Sequence, residues 1–490
     1  MQPLLHEATS SHTPEALAEQ LQGEQGVLLL HSRLFDSPHA RYSFVAVRPF
    51  LTFRSFGSRC EMTEHTTRNL QHVTFGNPWH ILDALLARYE LLDELDQPFP
   101  LGGCFGFWGY DLKKFVEPKL RVRSSNDLDL PDCHLGFYDS LVAFDHQLGK
   151  TWIIATGLGA DGSRSEARQQ DQLAFWQSHL KDSPTEHATR DTNISASAAS
   201  GVRHSSTFTR TAFLSAVETA QRYIRAGDIY QVNLTQRLSV PWSQGGWNLF
   251  ERLSDVSPAP FSAYVDCDDF QLASSSPELF LRLSGSHIQT RPIKGTRPRD
   301  PDAMRDAQLA YELQTSAKEQ AELVMITDLL RNDLGRVCEF GSVQVPDLLR
   351  LEKFAQVQHL VSTVEGRLRP DVTHLSALAS CFPGGSITGA PKFRAMEIID
   401  ELEPVSRGPY CGALGYLGFN RESQLSIIIR TAICKDGVAH FPVGAGIVAD
   451  SDPAAEYEET LAKARGFLTA IQSPDAHSSI EHRASSIEQP

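Results

Sequence analysis

Residues 183–206 are rich in Ser, Ala and Thr and show no apolar period. A stretch without a hydrophobic face has nothing to bury, so it reads as a linker rather than a core element. It divides a 490-residue chain, too long for one ordinary core, into lobes expected at 14–180 and 208–470. Residues 473–490 are equally polar and read as a disordered tail.

Both lobes mix strand-like and helix-like periods. In the first, Gly26-Val-Leu-Leu-Leu-His-Ser, Tyr42-Ser-Phe-Val-Ala-Val and Leu51-Thr-Phe-Arg-Ser-Phe are short apolar or alternating runs that predict strands. Residues 79–89 have helical spacing, and strands return near Leu135-Gly-Phe-Tyr-Asp and Thr151-Trp-Ile-Ile-Ala-Thr. In the second lobe, residues 209–225 predict a helix broken at Gly227, then a strand through Gln231-Val-Asn-Leu-Thr-Gln-Arg. Phe261-Ser-Ala-Tyr-Val, Phe270-Gln-Leu-Ala-Ser and Glu278-Leu-Phe-Leu-Arg-Leu extend a sheet.

The net charge of −15 argues against a general affinity for nucleic acid or anionic membranes. Eight scattered cysteines, with no CxxC pair, fit buried free thiols in a reducing compartment better than a disulfide frame or a zinc site. Met1-Gln-Pro-Leu-Leu-His-Glu has neither a charged n-region nor a long apolar h-region, and no apolar run approaches a membrane span. A cytoplasmic location is expected.

Candidate chemistry concentrates in the second lobe. Arg291-Pro-Ile-Lys-Gly-Thr-Arg-Pro-Arg places two prolines and a glycine around Lys294, so a turn is expected that aims the ammonium. Three arginines nearby in sequence would disfavour a charged lysine and suit a nucleophile or base; a solvated basic turn or phosphate clamp fits the same residues. Glu319 and Glu322 lie three apart at the start of one predicted helix, and Glu456 and Glu459 repeat the spacing in another, which Pro453 begins. Two such faces can hold a Mg²⁺ with waters completing the octahedron. Capping by Ser316 and the helix dipole account for the acidic residues equally well.

Gly444, Ala445 and Gly446 read as a strand end whose backbone N–H groups could cradle a carboxylate. Phe382-Pro-Gly-Gly-Ser386-Ile-Thr388-Gly-Ala-Pro-Lys lacks phosphate-loop spacing, yet its hydroxyls and the helix start beyond it suit a small anion. Arg430 closes an apolar strand, which implies a specific target, while His359 suits a structural role as readily as a catalytic one. Gly102-Gly-Cys-Phe-Gly-Phe-Trp-Gly contains Gly-x-Cys-x-Gly, but a nucleophilic thiol needs a base and no His-x-Glu occurs in the chain. Those glycines are expected to let aromatic strands pack closely.

Five ordered segments together resemble the chorismate-utilising enzymes: Tyr230-Gln-Val-Asn-Leu, Arg291-Pro-Ile-Lys-Gly-Thr, Asp328-Leu-Leu-Arg-Asn-Asp-Leu-Gly-Arg, Gly384-Gly-Ser-Ile-Thr-Gly-Ala-Pro-Lys and Gly444-Ala-Gly-Ile-Val-Ala-Asp-Ser. The resemblance implies an α+β fold, anthranilate synthase component I-like, with two antiparallel sheets packed between helices and two intertwined lobes. It implies a Mg²⁺ cofactor at Glu322 and Glu459, with Glu319 and Glu456 nearby or acting through water, neutralising the ring carboxylate of chorismate. Gly444, Ala445 and Gly446, with Ser386 and Thr388, should hold that carboxylate from its other side. Arg430, Tyr410 and Lys463 match positions that bind the enolpyruvyl carboxylate, and His359 one beside the ring.

Within the family, water-using relatives place a lysine where this chain has Gln231, so the amide points to ammonia. Anthranilate synthases carry Pro-Ile-Ala-Gly-Thr, whereas this chain has Lys294, matching the lysine thought to attack the ring in enzymes that aminate C4. Glu278 matches the acid that helps the 4-hydroxyl leave. The expected product is 4-amino-4-deoxychorismate, with an anthranilate synthase large subunit as the alternative. Ammonia would come from a separate glutamine amidotransferase subunit. A tryptophan pocket near Ser32 is an open expectation, because His31 departs from the Glu often found there in anthranilate synthases.

Overall fold

Strands from the two halves of the chain find their partners in each other. The computed structural model describes residues 1–32, 40–65, 70–92, 96–121, 123–181, 204–353 and 357–472. Residues 183–203 of the expected linker and the expected tail therefore lie outside the described residues. Ser205–Ser206, at the end of the expected linker, is a short strand against the Gln231–Pro241 strand.

Among the described residues there are two antiparallel sheets of twelve strands each. In the first, Leu28–His31 pairs with Phe261–Asp266, which joins the amino-terminal strands to the chain Gln271–Ser276, Thr431–Lys435, Val438–Ile447 and Gln231–Pro241. In the second, Gly103–Trp108 pairs with Ala413–Gly418, which joins Leu51–Phe56 and its neighbours to Glu422–Ile427, Leu279–Ser284 and the edge strand Ile293–Pro298. This is the intertwining expected from the resemblance, and it rests on backbone pairing rather than on domain docking.

The sheets face each other across an aromatic layer. Phe44 of the first meets Tyr416 of the second edge-on at 5.3 Å, and Phe107 meets Phe270 at 6.0 Å. All six residues of Gly103–Trp108 are buried. Gly106 is there because a Cβ would overlap the His134 carbonyl of the next strand. Cys104 lies fully inside, where burial pushes its thiol well up, so it is packing and not a nucleophile. The eight cysteines are buried and free, as their spacing suggested.

Helices cover the outer faces. Thr209 caps Arg210–Arg225 by accepting the Ala212 N–H, and that helix buries Phe213, Val217 and Ala220. The two helices that matter most below are Ala317–Gly335, capped by Ser316, and Pro453–Gln472, which begins at proline as its sequence requires. No described helix is long and apolar enough to cross a membrane.

Candidate active site

A cavity of about 550 Å³ lies where an edge of each sheet meets the amino-terminal halves of those two helices. Its walls come from Ile293–Pro298, the strand Val438–Ile447, the turn Gly385–Ile387, and helices Ala317–Gly335 and Pro453–Gln472.

Lys294 is in a strand, not in the turn its prolines suggested. It pairs with Leu360, and the register then slips so that Thr296 pairs with His359. The bulge is at Gly295, whose φ of +69° is cheap only for glycine. A regular strand would send alternate residues away; the bulge lets residues 294–297 all face the cavity.

The neighbouring arginines do not form the cation cluster expected. Arg291 pairs with Glu352, Arg299 with Asp306 at 2.8 Å and Arg297 with Glu319 at 3.8 Å. Alternation and the bulge spread them over different partners, so Lys294 instead feels carboxylates: its charge acts on Glu278, Glu322 and Glu459.

Glu278 is buried just before the strand Leu279–Ser284. Loss of water raises its carboxyl above the ordinary range; the Ser386 hydroxyl and the Lys294 charge act in the opposite sense without cancelling it. His359, 2.9 Å from the Thr296 hydroxyl, is lowered to about 4 by burial and is therefore neutral at neutral pH.

Arg430 has a left-handed backbone (φ 50°) and no ion-pair partner among the described residues. Surrounding protein lowers its affinity for a proton, while its accessible surface lines the cavity. A guanidinium held that way is a site for an anion. Tyr410 borders the same wall.

Gly444 and Gly446 lie in the last four residues of the strand Val438–Ile447, as expected, and their N–H groups are available for a reason the register supplies. The partner residues Asn233 and Thr235 send their own N–H groups elsewhere, to the Thr388 carbonyl (2.8 Å) and the Glu403 carboxylate (2.9 Å). These are therefore non-hydrogen-bonded pairs, and both glycines point their N–H away from that strand. On their other side, pairing with Thr431–Lys435 ends at His440. The cradle is an open sheet edge inside the protein.

Of the four candidate metal carboxylates, Glu322, Glu459 and Glu319 line the cavity. Burial raises Glu322, and the charges of Glu319 and Glu459 raise it further. Glu456 is turned away, accepting from Ser451 at 2.6 Å. Among the described residues no three His, Cys, Asp or Glu side chains converge closely enough to hold an ion by themselves. Lys463 reaches Glu459 (2.9 Å) and the Gly444 carbonyl (2.8 Å), beside the cradle, and lines the same cavity as Arg430.

Other candidates stand behind the wall. Gln231 is buried, with its Nε2 2.7 Å from where a Cβ on Gly446 would be, so it backs the cradle. The Thr388 hydroxyl is spent on the Gly384 carbonyl (3.0 Å), and the Ala445 side chain is in the core. Ser32 borders a separate gap of about 30 Å³ between the sheets. His31 there bonds Glu15 at 2.8 Å, so a carboxylate reaches this place from another element. Lys318 and Asn233 line the main cavity without having been singled out. Asn233 follows from the two-residue period through Gln231, while Lys318 carries no signal beyond its place next to Glu319.

Basic and hydrogen-bonding groups, a buried acid and a lysine that share the walls of one cavity suit a small molecule bearing two carboxylates. The profile of the family described as chorismate binding enzyme matches residues 31–469. The chain belongs to the chorismate binding enzyme family. This chorismate binding enzyme is 39% identical over 447 residues to aminodeoxychorismate synthase component 1 of Escherichia coli (strain K12), covering 91% of this chain and 93% of that one. It is 38% identical over 464 residues to anthranilate synthase component 1 of Acetivibrio thermocellus, covering 94% and 93%. Its fold matches the crystal structure of anthranilate synthase component I from Streptococcus pneumoniae TIGR4 with a TM-score of 0.75 at 32% identity, over 89% of this chain and 94% of that one. The fold expected from the resemblance is thus the one observed. Near-equal identity to two chemistries leaves the choice between them to individual residues.

Proposed function

We propose that this chorismate binding enzyme is the large subunit of an aminodeoxychorismate synthase. It joins ammonia to C4 of chorismate and releases 4-amino-4-deoxychorismate for 4-aminobenzoate and folate synthesis. The observation that carries this reading is Lys294 facing the cavity together with buried Glu278, where the resemblance gives anthranilate synthases an alanine.

In this reading Gly444 and Gly446 take the ring carboxylate by backbone N–H, and Arg430 with Tyr410 takes the enolpyruvyl carboxylate. Glu322 and Glu459 fit a Mg²⁺: two carboxylates whose mutual repulsion a divalent cation relieves, with waters and substrate as further ligands. Bound there, Mg²⁺ would supply charge neutralisation of the ring carboxylate. Bound substrate excludes water and so favours the neutral pair, Glu278 acid with Lys294 amine, over the ion pair. The amine attacks the ring as the C4–O bond breaks, and Glu278 gives its proton so that water leaves. Ammonia then forms the C4–N bond while the bond to Lys294 breaks, and the surplus ammonium proton returns to Glu278. The net change is chorismate plus ammonia to aminodeoxychorismate plus water.

The component 1 names of the relatives and the ammonia requirement support a separate glutamine amidotransferase subunit as the source of that ammonia. Product identification by mass spectrometry tests the whole reading, with purified chain, chorismate, Mg²⁺ and ammonium. Aminodeoxychorismate is expected. Anthranilate would assign the chain to the other branch despite Lys294, and isochorismate would mean that Gln231 does not exclude water.

A further inference from the structure

Behind the cavity wall is a charge pair that the chemistry above leaves unused. Glu403 and Arg407 are both buried, with Arg407 Nε donating to Glu403 Oε2 (2.9 Å) and Nη2 to Oε1 (2.7 Å). The same guanidinium reaches two backbone carbonyls on different elements. Nη1 donates to Ile387 (3.0 Å) in the turn that carries Ser386, and Nη2 to Asn233 (2.7 Å) in the cavity strand. Glu403 completes the ring by accepting the Thr235 N–H (2.9 Å). The Arg407 carbonyl in turn accepts the Tyr410 N–H at 3.1 Å, and the Tyr110 ring lies 4.7 Å from the guanidinium carbon.

The guanidinium therefore ties together two walls of the cavity, the Ser386 turn and the Asn233 strand, from a residue whose own backbone carbonyl holds the Tyr410 turn. A buried ion pair is a poor source of net stability, because an apolar pair of similar volume often does as well. What a planar fork of donors supplies is direction. We propose that Arg407, oriented by Glu403, is a positioning residue for the reaction, fixing the Ser386 turn beside Glu278. The inference rests on the reading of Glu278 as the acid of the proposed amination, since placement matters most for groups that act only in the transition state.

The test uses the purified full chain with chorismate, Mg²⁺ and ammonium. Arg407→Lys keeps the buried charge, but an ammonium cannot serve the same acceptors in one plane. Its kcat is expected to fall about tenfold with KM within about twofold, because a misplaced acid costs turnover rather than ground-state binding. Ser386→Ala, damaging in the native chain, should add little in the Arg407→Lys background, because both act through one contact. Native kcat in Arg407→Lys, or an undiminished Ser386→Ala effect in that background, overturns the proposal. If Arg407→Lys does not fold, Glu403→Gln with Arg407→Met removes both charges while keeping an acceptor for Thr235, and the same comparison is made there. Failure of the underlying reading looks different: Glu278→Gln would then keep its turnover whatever Arg407 does, and the positioning role would fall with it.

Discussion

At the residue scale the site depends on what burial does to Glu278. Glu278 is held protonated above the ordinary carboxylate range by loss of water, and Lys294 shares its cavity. Lys294→Ala is expected to lose most turnover while isothermal titration still detects chorismate binding, because the substrate's carboxylates are held elsewhere. Unchanged turnover would remove Lys294 from the chemistry. Glu278→Gln should cost roughly 10²–10⁴-fold in kcat, the usual worth of a positioned acid. The pH dependence has a definite sign. The pair reacts with one proton between its members, and below the Glu278 pKa it carries two, so kcat should rise with pH through a value above the ordinary carboxylate range. Ser386→Ala removes a hydroxyl that holds this pKa down, so the rising limb should move to still higher pH. A limb below the ordinary value would mean that Glu278 works ionised.

At the element scale, two helices and an edge of each sheet converge on a single cavity. The helix Ala317–Gly335 shows why a sequence pattern can be right for two reasons: the Ser316 hydroxyl caps the Glu319 N–H at 3.4 Å, while Glu322, one turn on, faces the cavity. The two roles separate experimentally. Ser316→Ala should cost about 1 kcal/mol of stability without changing the Mg²⁺ titration. Glu459→Ala should raise the Mg²⁺ needed for half-maximal activity, since a two-carboxylate site has little to spare; an unaltered titration would rule this pair out as ligands. Gly446→Ala would press a methyl onto Gln231 Nε2, whose present place is 2.7 Å from that Cβ position. The expected result is a raised KM for chorismate with the fold retained, read by steady-state kinetics and circular dichroism.

At the scale of the whole molecule, the lobes suggested by the low-complexity stretch at 183–206 share both sheets. The buried Lys113–Asp400 pair, at 2.7 Å, adds a charged contact between the halves. A fragment containing only residues 208–470 would expose the Phe261–Asp266 edge where Leu28–His31 belongs, and the Ala413–Gly418 edge where Gly103–Trp108 belongs. Such open apolar edges aggregate. The fragment is expected to be insoluble or to lack a cooperative melt, and a sharp calorimetric transition would show that the catalytic half folds alone.

Much of this was legible in the chain itself. The helix at 209–225, the proline start of Pro453–Gln472, the aromatic strand Gly103–Trp108 and the Glu-x-x-Glu spacings are local facts, set by backbone freedom and side-chain period. Five ordered motifs also carried the family. Tertiary structure decided the rest, because it depends on which strand lies beside which. Register alone freed the N–H groups of Gly444 and Gly446, and one bulge at Gly295 turned an expected basic turn into a strand whose lysine meets carboxylates. Thr388 and Glu456 are instead drawn off by near neighbours: the Thr388 hydroxyl donates to the Gly384 carbonyl four residues back, and Glu456 accepts from the Ser451 hydroxyl five residues back. A sequence fixes what each residue can bond, but competition among partners brought together by folding fixes what it does bond.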